Sequence, residues 1–205
     1  LNEDSRFDPK SPYAAAKVFS HDITKVYRES YGMFCSNGIL FNHESPYRGE
    51  TFVTRKISRA VGRIHMGLQS KLTLGNLNAK RDWGFAGDYV DGMYKILDYS
   101  EPEDWVIATG SAHSVENFAK IAFNLIDKNY EDYIETSERY LRPNEVNYLL
   151  GDPTKANKLL NWKSSTSLEE LIKLMVESDI EIATKEKMLL DNGLIKPTWE
   201  NPIVS

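Results

Sequence analysis

Apolar residues recur along this chain with two spacings, one helical and one strand-like, in alternation. The first helical stretch covers 12–30, with Val18, Phe19, Ile23, Val26 and Tyr27 as its expected buried stripe and Gly32 as its stop. An apolar run over 33–41 reads as a buried strand, and the polar residues 42–50, with Pro46 and Gly49, read as a loop. A helix follows over 51–66. It turns Phe52, Val53, Ile57, Ala60, Val61 and Ile64 inward and carries Arg55, Lys56, Arg59 and Arg63 on the other face. Residues 71–74 form a short strand before a Gly75–Asn76 turn.

The same alternation continues to the carboxyl-terminal side. A helix over 88–99 should bury Val90, Met93, Tyr94 and Leu97, and 105–109 should be a buried strand ending at Gly110. Ser114 should cap a helix to about 127, with Glu116 near the capping-box position. A weak strand at 133–135, a loop over 142–145 and a short helix over 153–160 come next. Ser167 should cap a long last helix to 190, with Leu168, Leu171, Ile172, Met175 and Val176 inward, before an irregular tail. Strands alternating with helices make the fold class α/β.

Composition narrows the function. The chain has 205 residues, enough for one substantial core or one domain and part of another. Its net charge of −5 disfavours general nucleic-acid binding, which needs a basic surface. No apolar run is long enough to span a membrane, and the acidic start Leu1-Asn2-Glu3-Asp4 does not read as a signal peptide. The single cysteine, Cys35, excludes an intrachain disulfide and reads as a buried thiol in a reducing, cytoplasmic compartment. His21, His43, His65 and His113 have no metal-ligand spacing, so no metal is expected.

The chemistry concentrates in Ser11-Pro12-Tyr13-Ala14-Ala15-Ala16-Lys17. Ser11 is a good helix N-cap and Pro12 suits the first helical position. Tyr13 and Lys17 are four apart and share a face. A phenol is a poor base, titrating near about 10 in water, and a neighbouring ammonium favours its phenolate. Such a pair can transfer protons near neutral pH. Tyr and Lys at this spacing also arise by chance on solvated faces, and the basic side of the 51–66 helix is on pattern alone an ordinary solvated surface.

The segment SPYAAAK, with its helix and the following MFCSNGILFN, resembles the Tyr-x-x-x-Lys segment of extended short-chain dehydrogenases/reductases. NGILFNHESPYRGETFVTRKI (37–57) is similar to the matching run of the GDP-mannose 4,6-dehydratase family. RDWGFAGDYV (81–90), YLRPNEVNYLLGDPTKA (140–156) and the final LNWKSSTSLEELIKLMV fall in that family's order. The resemblance implies the end of a Rossmann-type parallel sheet plus a smaller α/β substrate domain. Residues 1–45 would be the last helix and strand region of the NADP-binding domain. Residues 46–205 would be mainly the GDP-sugar-binding domain, with 85–110 returning to the Rossmann domain.

The resemblance also implies roles. Tyr13 and Lys17 match the catalytic pair and touch the cofactor, NADP, and His43 and Arg48 match further NADP contacts. Asn42, Val53, Lys56, Arg81, Arg142 and Glu145 match positions that hold the GDP-sugar. Arg81 and Arg142 can grip a diphosphate bidentately, and a carboxylate such as Glu145 can accept from ribose hydroxyls. The family converts GDP-mannose to GDP-4-keto-6-deoxymannose, the precursor of GDP-fucose and GDP-rhamnose. The hydride leaves C4 for NADP as the Tyr takes the 4-hydroxyl proton. A Glu base then removes the C5 proton, water leaves C6, and the hydride returns there.

One large departure stands out. No glycine-rich turn follows a strand and opens a helix, and the family's Thr and Glu base lie upstream of the Tyr. The chain therefore reads as a portion of a longer enzyme, a homo-oligomer when whole and inactive alone. The amino-terminal half would be supplied in cis or by another chain. The alternatives are a catalytically silent nucleotide-sugar-binding module and another sugar-nucleotide epimerase or dehydratase.

Overall fold

The structure, a computed structural model, describes residues 1–140 and 146–196. The expected 142–145 loop and the tail beyond 196 lie outside the described residues. In chain order the elements are α1 (Pro12–Tyr31), β1 (Asn37–Leu40), β2 (Asn42–Glu44), α2 (Val53–His65), β3 (Leu72–Leu74), β4 (Lys80–Arg81) and β5 (Trp83–Phe85). They continue with α3 (Ala86–Leu97), β6 (Asp104–Ile107), β7 (His113–Ser114), α4 (Val115–Asn124), β8 (Ile134–Thr136), α5 (Thr154–Leu159) and α6 (Leu168–Asp191). The chain forms two compact units. The described residues of the first are 1–44, 79–113 and 146–168, and those of the second are 45–78, 114–140 and 169–196.

The first unit is built on two parallel ladders. β1 pairs with β6, Asn37 opposite Asp104 through Leu40 opposite Ile107. β2 pairs with β5, Asn42 opposite Trp83 and His43 opposite Gly84. Parallel strands need crossovers between them, which the intervening helices supply. Tyr89, Ile96, Trp105, Ile107, Ala156, Leu160 and Trp162 form the core, with Leu40 and Tyr99 against it. Trp162 reaches α3 because Gly92 has no side chain: a Cβ there would lie 3.1 Å from the indole nitrogen.

Two carboxylates fasten this unit. Asp104, at the start of β6, accepts from Arg28 of α1 at 3.0 Å and from Asn37 of β1 at 2.9 Å. Burial alone would raise its carboxyl, but these bonds and the Arg28 charge hold it below the usual range. Asp88 of α3 accepts from the Ser164 and Ser165 hydroxyls and from the amides of Ser165 and Thr166, at 2.8–3.0 Å. Burial opposes its ionisation too, and the bonds from Thr166, Ser165 and Ser164 overcome it.

In the second unit β3 pairs in parallel with β8, Leu72 opposite Ile134, and α2 packs on α4. α6, which belongs to this unit from residue 169 on, buries Leu171, Ile172, Met175 and Val176 as its spacing predicts, and Leu168, its first residue, is buried in the first unit. α2 and α6 approach so closely that a Cβ on Gly62 would sit 2.6 Å from the Asp179 carbonyl oxygen. Beside that contact Arg55 binds Asp179 at 2.9 Å, and the Ser58 hydroxyl donates to the same carboxylate at 2.6 Å. Burial pushes the Asp179 carboxyl up, against the pull of Ser58 and Arg55.

Several expectations are corrected. The basic side of α2, expected to be solvated on pattern alone and nucleotide-facing on the resemblance, is mostly paired with acids. Arg55 is buried on Asp179, Arg63 pairs with Glu186, and Arg59 pairs with Glu50. No residue of α1 is fully buried: Phe19 is 68% exposed, and Ile23, Val26 and Tyr27 are also exposed, because no described residue of the first unit covers that face. On α3 the buried residues are Tyr89, Gly92 and Ile96, whereas Val90, Met93, Tyr94 and Leu97 are exposed. Residues 33–36 precede the strand, with Met33 and Phe34 exposed and Cys35 half-buried. β2 lies in the stretch read as a loop, and β4 and β5 lie where no strand was expected.

Two predictions follow from these ties. Asp179→Ala strands the Arg55 guanidinium and should cost about 3–5 kcal/mol, read from urea unfolding. Arg55→Met combined with Asp179→Leu should recover most of it, and a loss below about 1 kcal/mol for Asp179→Ala would contradict the tie. Asp88 and Asp104 have folded values below their unfolded ones. Each therefore stabilises the fold above the unfolded value of about 4 and loses that contribution as pH falls through the lower folded value. Melting temperature against pH should drop steeply below about pH 4, and less steeply in Asp104→Asn.

Candidate functional site

α1 begins where the sequence places it. Ser11 takes an extended backbone and accepts the Ala14 amide at 3.1 Å, and Pro12 fills the first turn. Tyr13 and Lys17 consequently lie on one face, with the Lys17 Nζ 5.6 Å from the Tyr13 ring centroid. Both side chains are exposed, Tyr13 by 72%. A phenol and an ammonium held side by side in the open can exchange a proton with a bound hydroxyl. The helix that carries them is tied down at Arg28 by Asp104.

Asn42 and His43, both half-buried, sit on β2 against Trp83 and Gly84 of β5. The His43 imidazole lies over the Tyr89 ring, centroids 5.1 Å apart, and its Nδ1 is 2.9 Å from the Phe41 carbonyl oxygen. A carbonyl only accepts, so Nδ1 carries the hydrogen and Nε2 of the neutral ring is an acceptor. Gly84 is required beneath it: a Cβ would lie 2.4 Å from the Tyr89 ring. Burial first, then the charges of Asp82, Asp88 and Glu44, push the Tyr89 hydroxyl far above its ordinary value, so this ring is packing rather than acid–base machinery. Arg81 is half-buried on β4, its Nη1 donating to the Lys80 carbonyl at 2.9 Å.

The second unit holds a different group. The Arg48 guanidinium stacks 3.6 Å above the Phe52 ring, and Val53 opens α2, half-buried. The Lys56 Nζ lies 3.8 Å over the Tyr140 ring, and burial lowers its affinity for the proton. Gly75 touches Tyr140 so closely that a Cβ would sit 2.5 Å from its carbonyl oxygen. Beside them opens a cleft of about 350 Å³ lined by Gly75, Asn76, Leu77, Asn78, Thr136, Ser137 and Glu138. It lies just past the carboxyl ends of β3 and β8, where parallel strands leave room for ligands. Arg142 and Glu145 lie outside the described residues.

Sequence reasoning missed Asp82, Tyr89 and Tyr140. Asp82 carried no signal, because the donors that hold it are mostly backbone amides. Tyr89 was visible only in the helical phase of α3, and Tyr140 carried no signal.

The family model described as GDP-mannose 4,6 dehydratase matches residues 1–175. GDP-mannose 4,6 dehydratase 2 of Arabidopsis thaliana is 54% identical over 192 residues, 94% of this chain and 52% of that protein. The human GDP-mannose 4,6 dehydratase is 46% identical over 88% of this chain and 53% of its own length. The chain thus spans about half the length of these curated relatives. Among solved structures, RMD from Pseudomonas aeruginosa complexed with NADPH superposes with a TM-score of 0.80 at 17% identity, over 88% of this chain and 60% of that one. The dTDP-glucose 4,6-dehydratase of Bacillus anthracis in complex with NAD gives 0.77 at 19% identity, over 87% and 55%. These two establish the fold that this chain shares with them. With the family model covering all but the last thirty or so residues, and identities of 46% and 54% to its named members, the chain belongs to the GDP-mannose 4,6-dehydratase family.

Proposed function

We propose that this chain is the GDP-sugar-binding and proton-transfer portion of a GDP-mannose 4,6-dehydratase, a lyase that forms GDP-4-keto-6-deoxymannose. The observation that carries the reading is the Tyr13–Lys17 pair, held side by side and exposed at the start of a capped helix. Tyr13 takes the proton of the sugar 4-hydroxyl as C4 is oxidised, and Lys17 supplies the positive charge beside it. Arg81 and Arg142 neutralise the diphosphate, Glu145 accepts from ribose hydroxyls, and Lys56 donates to a carbonyl oxygen of the base. Asn42 and Val53 complete the GDP-sugar contacts.

The residues present fit the nicotinamide and ribose end of NADP. In the first unit Lys17 and Tyr13 offer an ammonium and a phenol on one open face and His43 offers a fixed Nε2 acceptor, and Arg48 is added on the family resemblance alone. When bound, that cofactor supplies hydride acceptance from C4 and hydride return to C6. Residues 1–205 contain no glycine-rich strand–turn–helix for its pyrophosphate and no residue matched to the C5 base. In the working enzyme, a homo-oligomer of the cytoplasm, those parts come from outside these residues.

Titration calorimetry and a product assay test the reading. The 205-residue polypeptide alone should bind GDP, bind NADP weakly and make no 4-keto-6-deoxy sugar. Placed in an enzyme that turns over, Tyr13→Phe should lower kcat by about 10²–10⁴-fold with GDP affinity little changed. Full activity in Tyr13→Phe, or NADP binding tighter than GDP binding by the isolated polypeptide, would contradict it.

A further inference from the structure

Asp82 has no part in the proton or phosphate chemistry above, yet it is an acid buried completely. Its Oδ1 accepts from the Thr109 amide at 2.9 Å and the Thr109 hydroxyl at 2.6 Å. Its Oδ2 accepts from the amides of Gly110 at 3.1 Å and Gly151 at 3.2 Å. The donors come from two segments distant in sequence, the stretch after β6 and the stretch before α5. Both glycines are built for the contact. Gly110 has φ +79°, and a Cβ on Gly151 would lie 2.2 Å from that of Ala108.

The other neighbour of Arg81 is fastened to the same stretch. The Lys80 amide donates to the Asn147 carbonyl at 2.8 Å, and the Leu149 amide donates to the Lys80 carbonyl at 3.1 Å. Arg81 thus stands between two residues, each bonded into 147–151, and its guanidinium folds back on the Lys80 carbonyl. A bidentate grip on phosphate oxygens tolerates little displacement of the backbone that aims it.

We infer that Asp82 is a positioning residue: through Thr109, Gly110 and Gly151 it fixes the backbone from which Arg81 reaches the diphosphate. This rests on the reading of Arg81 as a diphosphate ligand. Asparagine is no substitute at this position, because its amide nitrogen would face donors instead of accepting from them.

The test is calorimetric titration of GDP into the full chain, well below the melting temperature of each variant. Arg81→Ala should weaken GDP binding. Asp82→Asn should weaken it by about tenfold, and the double variant should match Arg81→Ala within about twofold, because Asp82 acts through Arg81. Additive losses, or unchanged affinity in Asp82→Asn, overturn the positioning role while leaving Arg81 in place. Unchanged affinity in Arg81→Ala removes the diphosphate reading itself, and the inference with it. Should Asp82→Asn fail to fold, Thr109→Val deletes one donor and Thr109→Ser keeps it. The valine variant should bind GDP a few-fold more weakly and the serine variant as the parent does, and equal affinities overturn the inference.

Discussion

One buried carboxylate, Asp82, ties three segments of the first unit together. Removing an ion of this kind from water costs several kcal/mol, and only a full set of donors offsets that. Asp82 has four, three of them backbone amides. Each bond to a charged acceptor contributes about 1.5–3 kcal/mol, so the set repays the desolvation only while all three segments stay together. Arg81 sits on one side of it. On the other, Trp83 and Gly84 hold Asn42 and His43 in register. A single acid thus couples the ladder that carries the candidate ligands to the loops around it.

Charge does similar work elsewhere, with different partners. Asp104 clasps Arg28 of the helix that presents Tyr13 and Lys17, and Asp88 holds the 164–166 turn against the start of α3. In the second unit Asp179 takes Arg55, leaving Lys56, the next residue, to lie over Tyr140 beside the cleft. Of the four basic residues on α2, three therefore hold acids of their own unit. A surface that looks uniformly cationic in sequence is divided between scaffold and candidate site.

How much of this could be read beforehand differs by element. The start of α1 was legible because Ser11-Pro12 is a local signal, and the Tyr13–Lys17 face follows from helix geometry alone. The inward stripe of α6 was legible because its apolar residues keep one phase. The stripe of α1 was not: its periodicity is real, but sequence cannot say whether another element covers it, and Phe19 and Ile23 remain exposed. On α3 the buried phase runs through Gly92, and a pattern of side chains cannot register a position that matters because it has none. Arg55 was misread because its partner lies 124 residues away. Asp82 was illegible because its donors are mostly backbone amides, which every residue but proline carries.

Amide hydrogen exchange on the full chain tests most directly whether Asp82 ties these segments into one cooperative unit. The amides of Thr109, Gly110 and Gly151 should exchange as slowly as those of the buried β6 residues Val106 and Ile107. In Asp82→Asn all three should speed up together while Val106 and Ile107 change little. Fast exchange at these amides in the parent protein, or acceleration confined to one of them in the variant, would contradict the account.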